Sequence, residues 1–195
     1  MTSNISPATV RGLLRAQFPA WAELELTPVE SDGTDNAMFR LGPRLAVRIP
    51  HRAEHGERLV KEQRWLPTFA EQLPVAIPRP LALGAPTAAL DRPWAVVEWI
   101  AGENPTAERS GESARLAGEL GTFLRDLRSL DPSGGPAPGD HNFWRGCGLV
   151  ERDAAFRAAL ERCPLAVDAA RALAVWNDAM DVSGHTGPRA WVHGD

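Results

Sequence analysis

The hydrophobic rhythm of the chain changes near residue 101, and that change limits what it can fold into. Upstream, short runs rich in β-branched and aromatic residues alternate with turn-forming segments, the densest being Trp94-Ala95-Val96-Val97-Glu98-Trp99-Ile100. Such runs suit a pleated, half-buried surface. Downstream, Leu116, Leu120, Leu124, Leu127 and Leu130 recur at the spacing that lines one face of a helix. Between the two, Ala101-Gly102-Glu103-Asn104-Pro105 changes the direction of the chain. This order predicts an α+β chain, β-rich over residues 1–100 and helical over residues 101–195.

Finer signals fill in both parts. Ser6-Pro7 is a helix start, and Val10, Leu13, Leu14 and Phe18 then share one face before Pro19 ends it. Leu24 to Val29, Ala37 to Leu41 and Arg44 to Ile49 read as three strands, the first two flanking the turn-rich Ser31-Asp32-Gly33-Thr34-Asp35-Asn36. After Pro50 a helical stretch begins near Glu54, with Leu59, Leu66 and Phe69 apolar and Pro67 predicted to break it in two. Further strands are expected at Ile77 to Leu83 and Trp94 to Ile100. In the second part the leucine helix carries Glu112 in its first turn and Arg125 and Arg128 in its last, and Asp131-Pro132 stops it. A loop over Ser133 to Gly139 leads to helices expected over Glu151 to Cys163 and Asp168 to Asp181. The strand-like Trp191-Val192 then runs into His193-Gly194-Asp195.

Composition removes several classes of function. The chain has 195 residues, of which 44% are hydrophobic and 24% charged, and a net charge of -4. That is enough for a substantial core, without a global bias towards nucleic acid or anionic membrane. The acidity, the absence of Tyr and the lack of an aromatic-basic stripe weigh further against nucleic acid. Locally the balance reverses: Arg40 to Arg64 holds seven basic residues against three acidic ones, which suits a phosphate-bearing ligand as well as a solvated basic face. Cys147 and Cys163 lack C-x-x-C spacing, so reduced thiols are expected. The N-terminus shows no basic region followed by an apolar run, and no apolar stretch approaches the roughly 18 to 20 residues that span a bilayer. A cytoplasmic protein is expected. No glycine-lysine pair occurs and no G-x-G-x-x-G follows a strand, which disfavours P-loop and Rossmann nucleotide sites.

Five segments, taken in order and spacing, resemble the aminoglycoside phosphotransferase family of kinase-like enzymes. They are Gly33-Thr34-Asp35-Asn36-Ala37-Met38-Phe39-Arg40-Leu41, Ala46-Val47-Arg48-Ile49-Pro50, Lys61-Glu62-Gln63-Arg64-Trp65-Leu66, Pro93 to Gly102, and Trp191-Val192-His193-Gly194-Asp195. The similarity runs from about Thr27 to the end. It implies a protein-kinase-like bilobal fold, with an antiparallel-sheet N-lobe for nucleotide binding and an incomplete helical C-lobe. The activity it implies is ATP-dependent transfer of the γ-phosphate to a hydroxyl of a small molecule.

The resemblance also assigns expectations to single residues. Ser31, Gly33 and Thr34 match the phosphate-covering loop, where glycine lets amides approach phosphate and Thr34 adds a hydroxyl. Arg48 stands where kinases place the lysine that pairs with the α- and β-phosphates, a departure from the pattern, because arginine keeps the charge but not the geometry. Lys61, the only lysine, lies in the helical segment and cannot replace it. Glu62 is the expected helix partner of Arg48. The backbone of Glu98, Trp99 and Ile100 is expected to read the adenine edge. Asp195 is expected to orient or receive the proton of the substrate hydroxyl, and His193 to support that loop by hydrogen bonding. Mg²⁺ is expected as cofactor with its ligands beyond Asp195, so that the chain reads as a fragment inactive by itself. The acceptor stays open between an aminoglycoside, another hydroxylated antibiotic and a metabolite, and antibiotic resistance is an implication of the resemblance. The sequence does not set an oligomeric state.

Two other readings compete. His51-Arg52-Ala53-Glu54-His55 is a literal H-x-x-E-H, in which two histidines on one helix face bind zinc and the glutamate activates water. Pro50 and Gly56 flank it and argue against such a helix. The other reading is a non-catalytic nucleotide-binding module, which Arg48 favours and Asp195 disfavours.

Overall fold

Five short strands, with two helices packed against them, order the first 100 residues. The computed structural model describes residues 5–30, 35–102, 113–163, 167–182, 184 and 186–193. The strands β1 (Leu26–Val29), β2 (Asn36–Leu41), β3 (Leu45–Pro50), β4 (Pro80–Gly84) and β5 (Trp94–Glu98) form one sheet in the order β1-β2-β3-β5-β4. Every neighbouring pair is antiparallel. With its helices, this sheet gives the α+β arrangement expected from the sequence. The chain divides into two compact units, residues 1–127 and 128–195.

Alternation along the strands sorts the first unit's side chains onto two faces. Phe39, Leu41, Val47, Ile49, Trp94 and Val96 face one way and pack with Val10, Leu13 and Leu14 of α1 (Pro7–Gln17). Trp94, Val47, Ile49 and Leu14 are fully buried there, each large side chain contributing about 1.5–3 kcal/mol through burial. Ser6 caps α1, its Oγ accepting the Thr9 N–H at 3.1 Å. On the opposite face, Ala46, Ala95 and Val97 meet Leu59 of α2 (Gly56–Gln72). One glycine is dictated by this packing: Gly84 pairs with Trp94, and a Cβ there would collide with the indole.

The first unit departs from expectation at β1, which starts at Leu26 rather than Leu24, and at α2, β4 and β5. Pro67 sits inside α2 without breaking it, because Leu59 before it and Phe69 after it are both buried and anchor the helix on either side. A 3₁₀ turn over Ala53–His55 precedes α2, so the helix starts at Gly56. β4 begins at Pro80, three residues later than expected, and β5 ends at Glu98, two residues before Ile100. The leucine pattern does form α3 (Ser113–Ser129), although Leu116, Leu120 and Leu124 are exposed and Leu127 is buried. Glu112 lies outside the described residues.

The second unit contains α4 (Asp153–Glu161) and α5 (Ala169–Met180). Their contact is aromatic and polar. Phe156 and Trp176 stack with centroids 4.1 Å apart and planes 7° apart. The Trp176 Nε1–H donates to Asp153 Oδ1 at 2.8 Å, and Arg157 Nε donates to the same carboxylate at 2.9 and 3.0 Å. These donors, Arg157 first and Trp176 second, hold the Asp153 carboxyl below the usual carboxylate range. Asp131 is lowered likewise by hydrogen bonds from Ser133, and its carbonyl accepts the Trp191 Nε1–H at 2.9 Å. Trp191 and Val192 form no strand, which corrects the expected strand-like run. No helix among the described residues is long and apolar enough to cross a membrane.

Candidate functional site

Arg48 and Glu62 meet. Strand alternation turns Arg48 onto the face carrying Ala46, opposite fully buried Val47 and Ile49, and pairs it across β5 with the small Ala95. On this side the small Ala46 and Ala95 leave room for a long cation, while Met38 of β2 pairs with it on the other. α2 crosses the same face through Leu59, which places Glu62 over the strand. The Arg48 Nη1–H donates to Glu62 Oε2 at 2.7 Å, and the two side chains are 19% and 28% exposed. Charge-assisted and largely screened from water, such a contact contributes about 1–2 kcal/mol. It also fixes a fork of donors in one orientation. A guanidinium carries five N–H donors, so the link to Glu62 occupies only part of its capacity.

A second ion pair sits one turn earlier on α2. The Arg58 Nη1–H donates to Asp35 Oδ2 at 2.6 Å. Asp35 is also a backbone junction, because its carbonyl accepts the His51 N–H at 2.8 Å just beyond β3. His55 Nδ1 lies 3.9 Å from Asp35 Oδ1, and His55 Nε2 lies 3.7 Å from Glu54 Oε1. Nothing in the expected site residues pointed to Arg58. The signal available was its i, i+4 spacing to Glu62, which puts both side chains on one helix face.

His51, Glu54 and His55 do not form the zinc arrangement their pattern suggests. Arg52 is extended, with φ -124° and ψ 143°, and Ala53–His55 is a 3₁₀ turn, so the two imidazoles do not share an α-helical face. Among the described residues no three His, Cys, Asp or Glu side chains gather into a metal-binding group.

At the end of β5 the expected adenine-reading trio divides. The Glu98 N–H donates to the Arg79 carbonyl and the Trp99 N–H to the Arg44 carbonyl, both at 2.8 Å. Those two amides are spent within the fold. Among the described residues the Ile100 N–H takes no backbone acceptor. Trp99 packs on the face carrying Ala46 and Val97, and the Arg40 guanidinium lies 4.3 Å from its ring centroid. Glu98 and Ile100 are exposed.

His193 is exposed, in irregular chain after Trp191. Ser31, Gly33, Thr34 and Asp195 lie outside the described residues.

The profile of a phosphotransferase enzyme family matches residues 25–195. Among solved structures, the chain is similar to a wild-type aminoglycoside 2′-phosphotransferase-IIIa in complex with GDP, at 17% identity and a TM-score of 0.69, covering 89% of this chain and 59% of that one. It is similar to the GDP and kanamycin complex of an APH(2″)-IIIa enzyme, at 16% identity and a TM-score of 0.64, covering 88% and 58%. A streptomycin–ATP ternary complex of APH(2″)-IIa matches at 22% identity and a TM-score of 0.51, covering 85% and 54%. The chain thus spans less than two thirds of the length of these structures. No curated protein matches it.

Proposed function

Because the chain belongs to the phosphotransferase enzyme family, whose profile takes in residues 25–195, we propose that it serves an ATP-dependent transfer of phosphate to a hydroxyl of a small molecule. The observation that carries this reading is the Arg48–Glu62 pair at 2.7 Å, with the family's strand cation and helix glutamate drawn together on the face that α2 covers. In this role Arg48 holds the α- and β-phosphates and Glu62 holds Arg48. Bound ATP would supply the γ-phosphoryl group. Ser31, Gly33 and Thr34 cover the phosphates. At the end of β5 the Ile100 amide receives the adenine edge, with Glu98 and Trp99 shaping the strand end behind it.

Asp195 orients the acceptor hydroxyl and takes its proton, while His193 steadies that loop. Transfer of this kind depends on positioning and charge more than on covalent chemistry. Residues 1–100 make up the nucleotide-binding lobe and residues 101–195 the start of the acceptor lobe. Neighbours solved with kanamycin and with streptomycin support an aminoglycoside as acceptor. A cytoplasmic enzyme that confers antibiotic resistance follows from that choice.

The test uses a version extended to the length of the solved neighbours, assayed with γ-labelled ATP or GTP and kanamycin. Asp195→Asn should cut turnover about a hundredfold or more while nucleotide affinity holds. Equal turnover in that variant would remove Asp195 from the chemistry. Residues 1–195 alone should bind nucleotide without transferring phosphate, and aspartate-dependent transfer by them would contradict the expectation that Mg²⁺ ligands lie elsewhere.

A further inference from the structure

Resting on the nucleotide reading above, we propose that Arg58 is a positioning residue for Arg48, acting through Asp35 and helix α2. Three pieces of chain have to keep register for the Arg48 fork to stay aimed: the start of β2, the end of β3, and α2. They converge on Asp35. Its carbonyl accepts the His51 N–H at 2.8 Å, tying the entry to β2 to the exit from β3. Its carboxylate accepts from Arg58 at 2.6 Å, tying both to α2.

Glu62 lies four residues further along the same helix and holds Arg48, so one helix face carries two charged contacts on either side of buried Leu59. The apolar contact of Leu59 with Ala46, Ala95 and Val97 sets how close α2 comes. It is non-directional and does not fix the rotation of the N-terminal half of α2, whose far end is held by buried Phe69 and by the Arg79 Nη2–H donating to the Ala70 carbonyl at 3.1 Å. Directional charge-assisted bonds at two points one turn apart remove that freedom. Glu62 alone would orient Arg48 only as well as α2 is itself held, and Arg58 supplies the second point.

ADP titration into the 195-residue chain, in a double-mutant cycle with Arg48, tests this. Arg58→Ala should weaken ADP binding about fivefold in the wild-type background and change it no further in the Arg48→Ala background, because coupled residues share one loss. Arg58→Lys should recover part of the affinity. Asp35→Asn, which keeps the shape of the side chain, should reproduce the Arg58→Ala loss if that variant melts too early to measure. An equal loss in both backgrounds would show a general structural role and overturn the proposal, as would unchanged affinity in Arg58→Ala and Asp35→Asn. Wild-type chain that binds no ADP would refute the nucleotide reading itself, and this inference with it.

Discussion

The two units hold themselves together by different means. In residues 1–127 a five-stranded sheet is packed on both faces, and its largest side chain, Trp94, is fully buried. In residues 128–195 neither α4 nor α5 has a buried residue, and their contact rests on the Phe156–Trp176 stack and the polar cluster around Asp153. Alternation on a sheet forces each strand to commit side chains to two faces, so a few residues generate a core and, on its second face, a fixed position for Arg48. Helices with one apolar stripe and no sheet to cover bury that stripe only in part, as half-buried Leu173, Trp176 and Met180 of α5 show. The unit that binds phosphate in our reading is thus also the unit with the rigid frame that positioning requires.

Truncating one aromatic in each unit should break this comparison if it is wrong. Trp94→Ala should cost about 3–5 kcal/mol in chemical denaturation, from lost burial and the cavity left behind. Trp176→Ala should cost about 0.5–1.5 kcal/mol, the worth of a half-exposed ring pair. Equal losses would mean that the second unit is as tightly built as the first.

Gly84→Ala tests the tightness of the first unit from the other direction. With no space beside the Trp94 indole, the added methyl should destabilise by about 1–3 kcal/mol, read as a lowered midpoint. An unchanged midpoint would show that β4 can retreat from β5.

The smallest effect is expected from acid. The Asp153 carboxyl is held below its usual range by Arg157 and then Trp176, so its contribution is present above the unfolded carboxylate pKa and is lost as the pH falls through the lower folded value. Protection of the α4 and α5 amides in hydrogen exchange should therefore decline below about pH 4, and Asp153→Asn should flatten that decline. Protection that rises towards acid would contradict the role given to Asp153.

Much of the first unit was legible because strand alternation and turn residues are local signals. The Arg44 to Ile49 run and the Trp94 run each became a strand close to the expected bounds, and Arg48 and Glu62 lie 2.7 Å apart. Pro67 misled, since local propensity marks a break while burial of Leu59 and Phe69 overrides it. Ile100 fell outside β5 because its partner strand β3 starts only at Leu45, and the ladder ends one step beyond the Leu45–Glu98 pair with the Trp99 N–H donating to the Arg44 carbonyl, a long-range pairing with no sequence mark. Arg58 was invisible for the same reason, its partner Asp35 lying 23 residues away. Trp191-Val192 has strand composition and pairs with no strand among the described residues, so composition alone did not decide it.

The central claim is that Arg48, held by Glu62, forms the phosphate grip of a nucleotide site. Calorimetric titration of ATP into the wild-type chain and into Arg48→Ala, with matched melting curves, tests it most directly. The account expects wild-type binding and a loss of about tenfold or more in the variant at unchanged fold, the scale of a charge-assisted contact. Equal ATP affinity in the two proteins would contradict it.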